Sequence, residues 1–399
     1  MTTPRIAIIG GGPAGLMCAR ILQGHGIQPT VYDADAAVDS RDPGGTLDLH
    51  ADSGQIALED AGLMDAFLAL ARVEGQAKSR RDQHGTVLAE FTPDEGDAAA
   101  PEIDRGQLRT MLYEHLRPGT VRWGHKLLQA NPVENGTHRL EFANGAGTDV
   151  DLVIGADGAW SPVRRLLTDV VPQYLGVCFL DARFDDVDTK HPDIAAIVGN
   201  GHMFSTDGAG RAVIVQRNSN GVVRGYVAFR AELDWYVTAG VDVTDPAAVR
   251  SYLVREFSEW SPIMRPLITD NDGDYIQRSF WALPAPLTWN HTPGVTLIGD
   301  AAHLMAPFGG HGTNLALLDG AELAHAIKNE NSLDEAITRY ETTMFPRSGE
   351  LAAGSNTALT RFFATTSPDA PHLPPDHAQE HKNYEARAAE YRRRQTESA

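Results

Sequence analysis

The chain has 399 residues, 42% hydrophobic and 22% charged, with 34 basic against 53 acidic side chains for a formal charge of −19. That length fits two or three domains around a large core, and the composition excludes wholesale disorder. The negative charge repels a phosphate backbone, no basic patch interleaved with aromatics stands out, and no apolar run approaches the roughly 20 residues of a bilayer span, so neither nucleic acid nor a membrane is an expected partner.

The N-terminus enters a β-branched run, "RIAIIG", without a basic leader, and cytoplasmic residence is the expectation. "GLMCARILQGHG" then carries apolar residues at helical spacing until Gly24 and Gly26 stop it, and "IQPTVYDAD" reads as a second strand. Strand, tight turn, helix and strand is the order of a parallel unit. "LVIGADG" (152–158) and "VTLIGDAAH" (295–303) read as further buried strands ending in a glycine and an aspartate.

Between 176 and 284 the texture alternates, as in "GRAVIVQR" and "GVVRGYVAFRAEL", with a turn at Ser219-Asn220-Gly221, which predicts a mostly antiparallel sheet. Residues 333–345 and 347–363 fit two helices. The tail opens with "TTSPDAPHLPPD" and ends in "EARAAEYRRRQ", read as a solvated helix or a frayed end. Cys18 and Cys178 lie in apolar helix and strand patterns and read as buried free thiols without chemistry. No metal-ligand cluster, nucleophile elbow or internal repeat is visible.

Gly10, Gly12 and Gly15, with Pro13 and Ala14 between them, have G-x-G-x-x-G spacing directly after a strand and at the mouth of a helix. The first glycine permits the turn, the second lets a pyrophosphate approach the backbone, and the third lets helix and strand pack closely. Asp33 follows about 20 residues on, where a carboxylate accepts hydrogen bonds from ribose hydroxyls. This predicts a dinucleotide site without separating FAD from NAD.

"GADGAWSPVRR" (155–165), with Asp157 and Gly158, and "GDAAHLMAPFGGHGTN" (299–314) resemble the later motifs of the flavin-dependent aromatic hydroxylases. "GGTLDLHADSGQIALEDAGL" (44–63) and "PEIDRGQLRTML" (101–112) resemble the tetracycline-inactivating branch of these FAD monooxygenases. The likeness implies an α/β fold: a Rossmann-like FAD-binding domain with a parallel sheet, of the glutathione-reductase type, interleaved with a mostly antiparallel substrate domain and followed by a C-terminal helical segment. The expected division is 1–72, 100–175 and 285–345 for FAD, 73–99 and 176–284 for substrate, and 346–399 for a C-terminal helix and polar tail.

The resemblance also implies residue roles. Asp300 would meet the ribityl chain, Asp157 both FAD and NADPH, and Pro307 the isoalloxazine face. Gly310, Gly312, Thr313 and Asn314 would aim backbone N–H groups at the flavin pyrimidine, while Arg41, Gly44 and Gly45 would flank the ring. Arg105 matches the flavin-contacting arginine, and Arg109 reads equally as a contact or an exposed helix charge. His303 reads as a packing residue rather than a general base. Ala306-Pro307 stands where the family has two prolines, and His311 where it has a glutamine.

The implied reaction consumes NADPH and O2. The reduced flavin forms a C4a-hydroperoxide, and one oxygen atom passes to an electron-rich aromatic or enolic polycycle, a polyketide or tetracycline-like compound, in biosynthesis or resistance. Phe204, Gln216, Arg217, Phe229 and Trp235 are candidates for lining the substrate pocket. An FAD-dependent reductase or cyclase that does not activate oxygen, and an inactive antibiotic-binding flavoprotein, are the alternatives. The expected partner is a small molecule, and the sequence leaves the oligomeric state open, with a monomer favoured.

Overall fold

The computed structural model describes residues 4–42, 44–133, 136–365 and 375–398, the last five by their backbone alone. The chain begins β1 (Ile6–Ile9), α1 (Pro13–Gly24), β2 (Thr30–Tyr32), β3 (Thr46–Asp48), α2 (Gly54–Asp60), α3 (Met64–Leu68), β4 (Lys78–Asp82), β5 (Val87–Phe91), β6 (Glu102–Asp104) and α4 (Arg105–Glu114). It continues β7 (Val121–Arg122), β8 (Leu127–Pro132), β9 (His138–Phe142), β10 (Gly147–Val150), β11 (Leu152–Gly155), β12 (Gln173–Phe184), α5 (Val187–Lys190), α6 (Pro192–Val198), β13 (His202–Thr206), β14 (Arg211–Arg217) and β15 (Val223–Arg230). The last part is α7 (Trp235–Ala239), α8 (Pro246–Glu256), α9 (Pro266–Thr269), β16 (Ile276–Ala282), β17 (Val295–Leu297), α10 (Asp300–His303), α11 (His311–Asn329), α12 (Leu333–Phe362) and α13 (His377–Ser398).

The α/β architecture matches the expectation. A parallel sheet runs in the order β17-β11-β1-β2-β7, its central strands buried on both faces as helix-covered parallel strands must be. α1 and α11 pack on it, and Cys18, wholly buried in α1, is held as a thiol with its pKa pushed up to about 12 by burial. The predicted antiparallel sheet is seven-stranded, β16-β12-β15-β14-β13-β4-β5, with β13 and β4 its one parallel pair. Asn220 and Gly221, both at positive φ, make the tight turn between β14 and β15.

This sheet has two covered faces. Val213, Val215, Val227 and Phe229 pack behind it against α6, α8 and α9. The front face presents Ala212, Ile214, Tyr226, Ala228 and Phe204 toward Ala306, Phe308, Leu359, Phe362 and Phe363.

Two expectations change near the C-terminus. Residues 333–362 form one helix, not two, passing through Pro346. Proline removes the bond to the Thr342 carbonyl, but the apolar stripe keeps its phase on both sides: Ala336, Ile337, Tyr340 and Met344 enter the core of the parallel sheet, and Leu359 and Phe362 the front face of the other. α12 thus bridges the two cores. The "EARAAEYRRRQ" run belongs to a docked helix, since Tyr384 and Ala388 of α13 are buried against Ala51 and Ala100. Ion pairs His381–Asp97 at 2.8 Å and Arg387–Asp52 at 2.6 Å hold it there. Most of "TTSPDAPHLPPD" lies outside the described residues. No helix among them is long and apolar enough to cross a membrane.

Candidate active site

β1 delivers the chain to Gly10, whose φ of +113° and whose added Cβ, 2.1 Å from the Ala156 carbonyl oxygen, leave no room for a side chain. Gly15 is as closed, at 2.1 Å from the Gly10 carbonyl oxygen, so α1 packs flush against the strand ends. Gly12 is open. It is the N-cap of α1, no side chain caps that helix, and an added Cβ meets nothing within 4 Å. Pro13 occupies the first turn, where its missing N–H costs nothing. The remaining N–H groups around Ala14 present positive potential to an anion.

Asp33 ends β2 and is buried. Its Oδ2 accepts from Gly11 N at 2.5 Å and its Oδ1 from Asp35 N at 2.8 Å. Arg109 is not an exposed helix charge. It is buried, donates from Nε to the Gly11 carbonyl at 2.9 Å, pairs with Asp35 at 2.8 Å and lies over Trp123. Its work is to clamp the glycine loop to the acidic turn.

The other two strand ends converge on the same place. Gly299, at φ +62°, would carry a Cβ 3.1 Å from that of Ala316 and 3.3 Å from that of Ala14, so the turn before Asp300 rests directly on α1 and α11. The Asp300 side chain is left exposed. Arg164 joins the 155–165 motif to this turn, donating to the Ala301 carbonyl at 2.9 Å and the Ala159 carbonyl at 2.6 Å. Asp157 is half-buried beside it, and desolvation pushes its carboxyl up to about 6, offset in part by Ser161, the Val163 N–H and Arg164. Its Oδ1 has no partner. His303 faces inward, 2.6 Å from Asp319, which Arg347 also holds at 2.8 Å. Burial alone would raise the Asp319 carboxyl, but His303 and Arg347 keep it below its usual range. His303 therefore packs, as expected.

The loop to α11 carries exposed Pro307, Gly309 at φ +84° and Gly310 at φ +68°. Gly310 is the uncapped N-cap of α11, and an added Cβ would fall 2.4 Å from Asp48 Oδ1. Gly312 opens on free space, with Thr313 half-buried beside it. The Asn314 side chain is wholly engaged within the protein: it accepts from His50 N at 2.8 Å and donates to the Asp48 carbonyl at 2.7 Å and the Gly310 carbonyl at 2.8 Å. It pins the loop, leaving the backbone N–H groups of the first turn free. His311 meets His50 edge-on, and burial together with His50 lowers its pKa to about 4, so its ring is neutral.

Across from this loop, Asp42, Gly45 and Thr46 are fastened to the front of the seven-stranded sheet. Asp42 pairs with Arg224, and Gln216 accepts from Thr46 N at 3.1 Å while filling the space where a Gly45 Cβ would stand. Gly44 adopts φ +98° beside the Arg105 stem. Arg105 is exposed, and Arg41 is exposed and paired with Asp35 at 3.0 Å.

Of the pocket candidates, Phe204 and Gln216 face this side. Arg217, Phe229 and Trp235 do not, because side chains alternate along a strand. Arg217 turns behind the sheet to Asp188, and Phe229 meets Trp235 edge-on at 5.0 Å in the rear core. Three residues not anticipated join Phe204 on this face: Arg80, Ile214 and Tyr226 sit in register with it as one row across four strands, on the side where Phe308 packs. Ile214 lies two residues from Gln216, and the period-two pleat of the strand puts both on one face.

Two uncapped helix N-termini, backbone openings at Gly12 and Gly312, an exposed Asp300 and an orphaned Asp157 oxygen form a donor and acceptor set that fits a dinucleotide bearing a flavin. Fold and site together define a flavin-dinucleotide enzyme. The family model described as FAD binding domain matches residues 3–257 and 264–349, and the chain belongs to that family. The 3-amino-4-hydroxybenzoate 2-monooxygenase PtnB3 of Streptomyces platensis is 30% identical over 366 residues, 87% of this chain and 86% of its own length. Monooxygenase asqM of Emericella nidulans is 28% identical over 410 residues, 86% of this chain and 92% of its own. Among solved structures, Klebsiella pneumoniae HpxO complexed with FAD and uric acid superposes with a TM-score of 0.75 at 18% identity, over 96% of this chain and 93% of that one. Tetracycline destructase Tet(55) does so with a TM-score of 0.71 at 21% identity, over 97% and 96%. These two establish the fold. By family and kinship the chain is an FAD-dependent monooxygenase.

Proposed function

We propose that the chain inserts one oxygen atom from O2 into an electron-rich aromatic or enolic ring system, with NADPH as a visiting reductant. FAD supplies the redox and oxygen-activating chemistry when bound. The observation carrying this reading is the contact of the Gly299 turn with Ala14 and Ala316, which joins the glycine loop, Asp300 and the α11 N-terminus into one cradle.

Within that cradle the α1 N-terminus would hold the pyrophosphate, and Asp33 the ribose. Asp300 would accept from ribityl hydroxyls. The α11 N-terminus would favour negative charge on the pyrimidine end of the ring. Pro307 and Phe308, with Phe204, Ile214, Tyr226 and Phe362, would enclose an apolar space that excludes water around a flat substrate. Arg41, Gly44, Gly45 and Arg105 would border it, with Arg109 acting through the loop it clamps. The discontinuous division into FAD-binding, substrate-binding and C-terminal parts is kept as part of this reading.

Screening NADPH oxidation by the FAD-loaded protein against phenolic acids and polycyclic phenols, with mass spectrometry of the products, tests it. Gain of one oxygen is the expected result. Turnover yielding reduced or cyclised product without oxygen would favour a reductase, and ligand binding without NADPH consumption a sequestering flavoprotein.

A further inference from the structure

Arg80 stands apart from the other arginines of its sheet. Arg211 pairs with Asp207, Arg217 with Asp188, Arg224 with Asp42 and Arg183 with Asp185, Arg278 approaches Asp181 at 3.7 Å and Arg81 approaches Glu90 at 4.0 Å, while Arg230 donates to the Phe363 and Thr360 carbonyls. Among the described residues Arg80 has no such partner. Its Nε is shielded from solvent without a hydrogen bond, and burial lowers its pKa with no neighbouring charge to offset the effect. In a chain with 53 acidic side chains, a half-buried guanidinium left unpaired is unexpected, because desolvating a charge without compensation is costly.

Its place on the sheet gives the reason. Arg80 lies on β4 directly beside Phe204, at one end of the front-face row that continues through Ile214 to Tyr226. Its guanidinium carbon is 5.2 Å from the centroid of Phe362, and that ring lies 5.3 Å from Phe308, which follows Pro307 in the loop opening α11. The cation thus lies over one aromatic ring, with Phe204 its neighbour on the next strand, and Phe362 links it to the loop assigned to the flavin. Aromatic surfaces beside one unsatisfied, planar, bidentate donor suit a flat ring bearing an acidic group.

We infer that Arg80 anchors the substrate by pairing with a carboxylate, or an equally acidic ring anion, on an aromatic ring held against Phe204 and Phe362. This rests on the reading that the front face of the seven-stranded sheet is the substrate side. Arg80 then orients the ring and selects acids over neutral analogues of the same shape. The arginine sought in "VIVQR" at Arg217 has its counterpart on a different strand.

Titrating the FAD-loaded protein with 3-amino-4-hydroxybenzoate and its primary amide, and with 6-hydroxynicotinate and its amide, tests this through the change in flavin absorbance. Wild-type protein should bind the acid of at least one pair about tenfold more tightly than the amide, the value of one charge-assisted pair. Arg80→Gln should bring the acid to the level of the amide while amide affinity, FAD content and circular dichroism stay unchanged, and Arg80→Lys should keep part of the preference. An acid preference that survives Arg80→Gln, or no acid preference in the wild type, overturns the assignment. Failure of the wild type to retain or take up FAD shows in its absorbance before any titration and contradicts the functional reading instead.

Discussion

Tyr384 stacks on His50 with ring centroids 4.1 Å apart and planes 14° from parallel. Through it the C-terminal helix reaches the active-site loop, since the His50 backbone N–H holds the Asn314 side chain and the His50 ring meets His311. Truncation before His377 should therefore uncover Ala51 and Ala100, lower Tm by several degrees and weaken FAD binding several-fold. Thermal unfolding and FAD titration of the truncated chain check this; unchanged values in both would show that α13 is a passive cover.

Two desolvated, half-buried groups oppose each other in acid. His311 is lowered to about 4 by burial and by His50, with Asp48, Asp52 and Glu380 offsetting only part of it. Between that value and the unfolded one near 6.5, the unfolded chain binds a proton that the folded chain refuses, so stability is lost as pH falls through this window. Asp157, raised by burial to about 6 from 3.8, penalises the fold above pH 6 and relieves it as pH falls toward 4. His311→Gln should lose less Tm than wild type between about pH 7 and about pH 4.5. Asp157→Asn should be more stable at pH 7 by on the order of 1–3 kcal/mol, the gap closing near pH 4. Apo-protein melts across pH would refute this if all three curves ran parallel.

The fingerprint glycines divide by cause. Gly10→Ala forces a Cβ to 2.1 Å from a carbonyl oxygen at a φ of +113°, and should cost about 3 kcal/mol or more, or prevent folding. Gly12→Ala meets no protein atom within 4 Å. Its melting temperature without FAD should match wild type, while FAD affinity falls at least tenfold. Equal affinity in Gly12→Ala and wild type would place the pyrophosphate elsewhere.

Faces of the seven-stranded sheet can be told apart by kinetics. Phe229→Ala empties a rear-core position and should cost about 3–5 kcal/mol of stability with little change in KM. Ile214→Ala, on the front row, should raise KM with a smaller loss of stability. A KM effect confined to Phe229→Ala would reverse the assignment of faces.

The glycine cluster and Asp33 were legible because the dinucleotide half of the cradle is written in local spacing, a turn, a helix mouth and a carboxylate at a strand end, whereas the two later aspartate turns are read through their resemblance to the flavin-dependent aromatic hydroxylases. Which face of an antiparallel sheet meets the site is not local. Gln216 and Arg217 are neighbours and must point oppositely, yet only the packing of α6, α8 and α9 behind the sheet decides which of them looks toward residues 42–46. Arg109 was ambiguous for the same reason, as its partners Gly11 and Asp35 lie some seventy to a hundred residues away. Pro346 suggested a break, and the continuous burial of α12 outweighs it.

The cradle itself is tested most directly by the absorbance spectrum of the purified protein, before and after incubation with FAD and removal of the excess. The account predicts a yellow protein with stoichiometric flavin bound. A protein that arrives colourless and stays flavin-free, despite native circular dichroism, would contradict it.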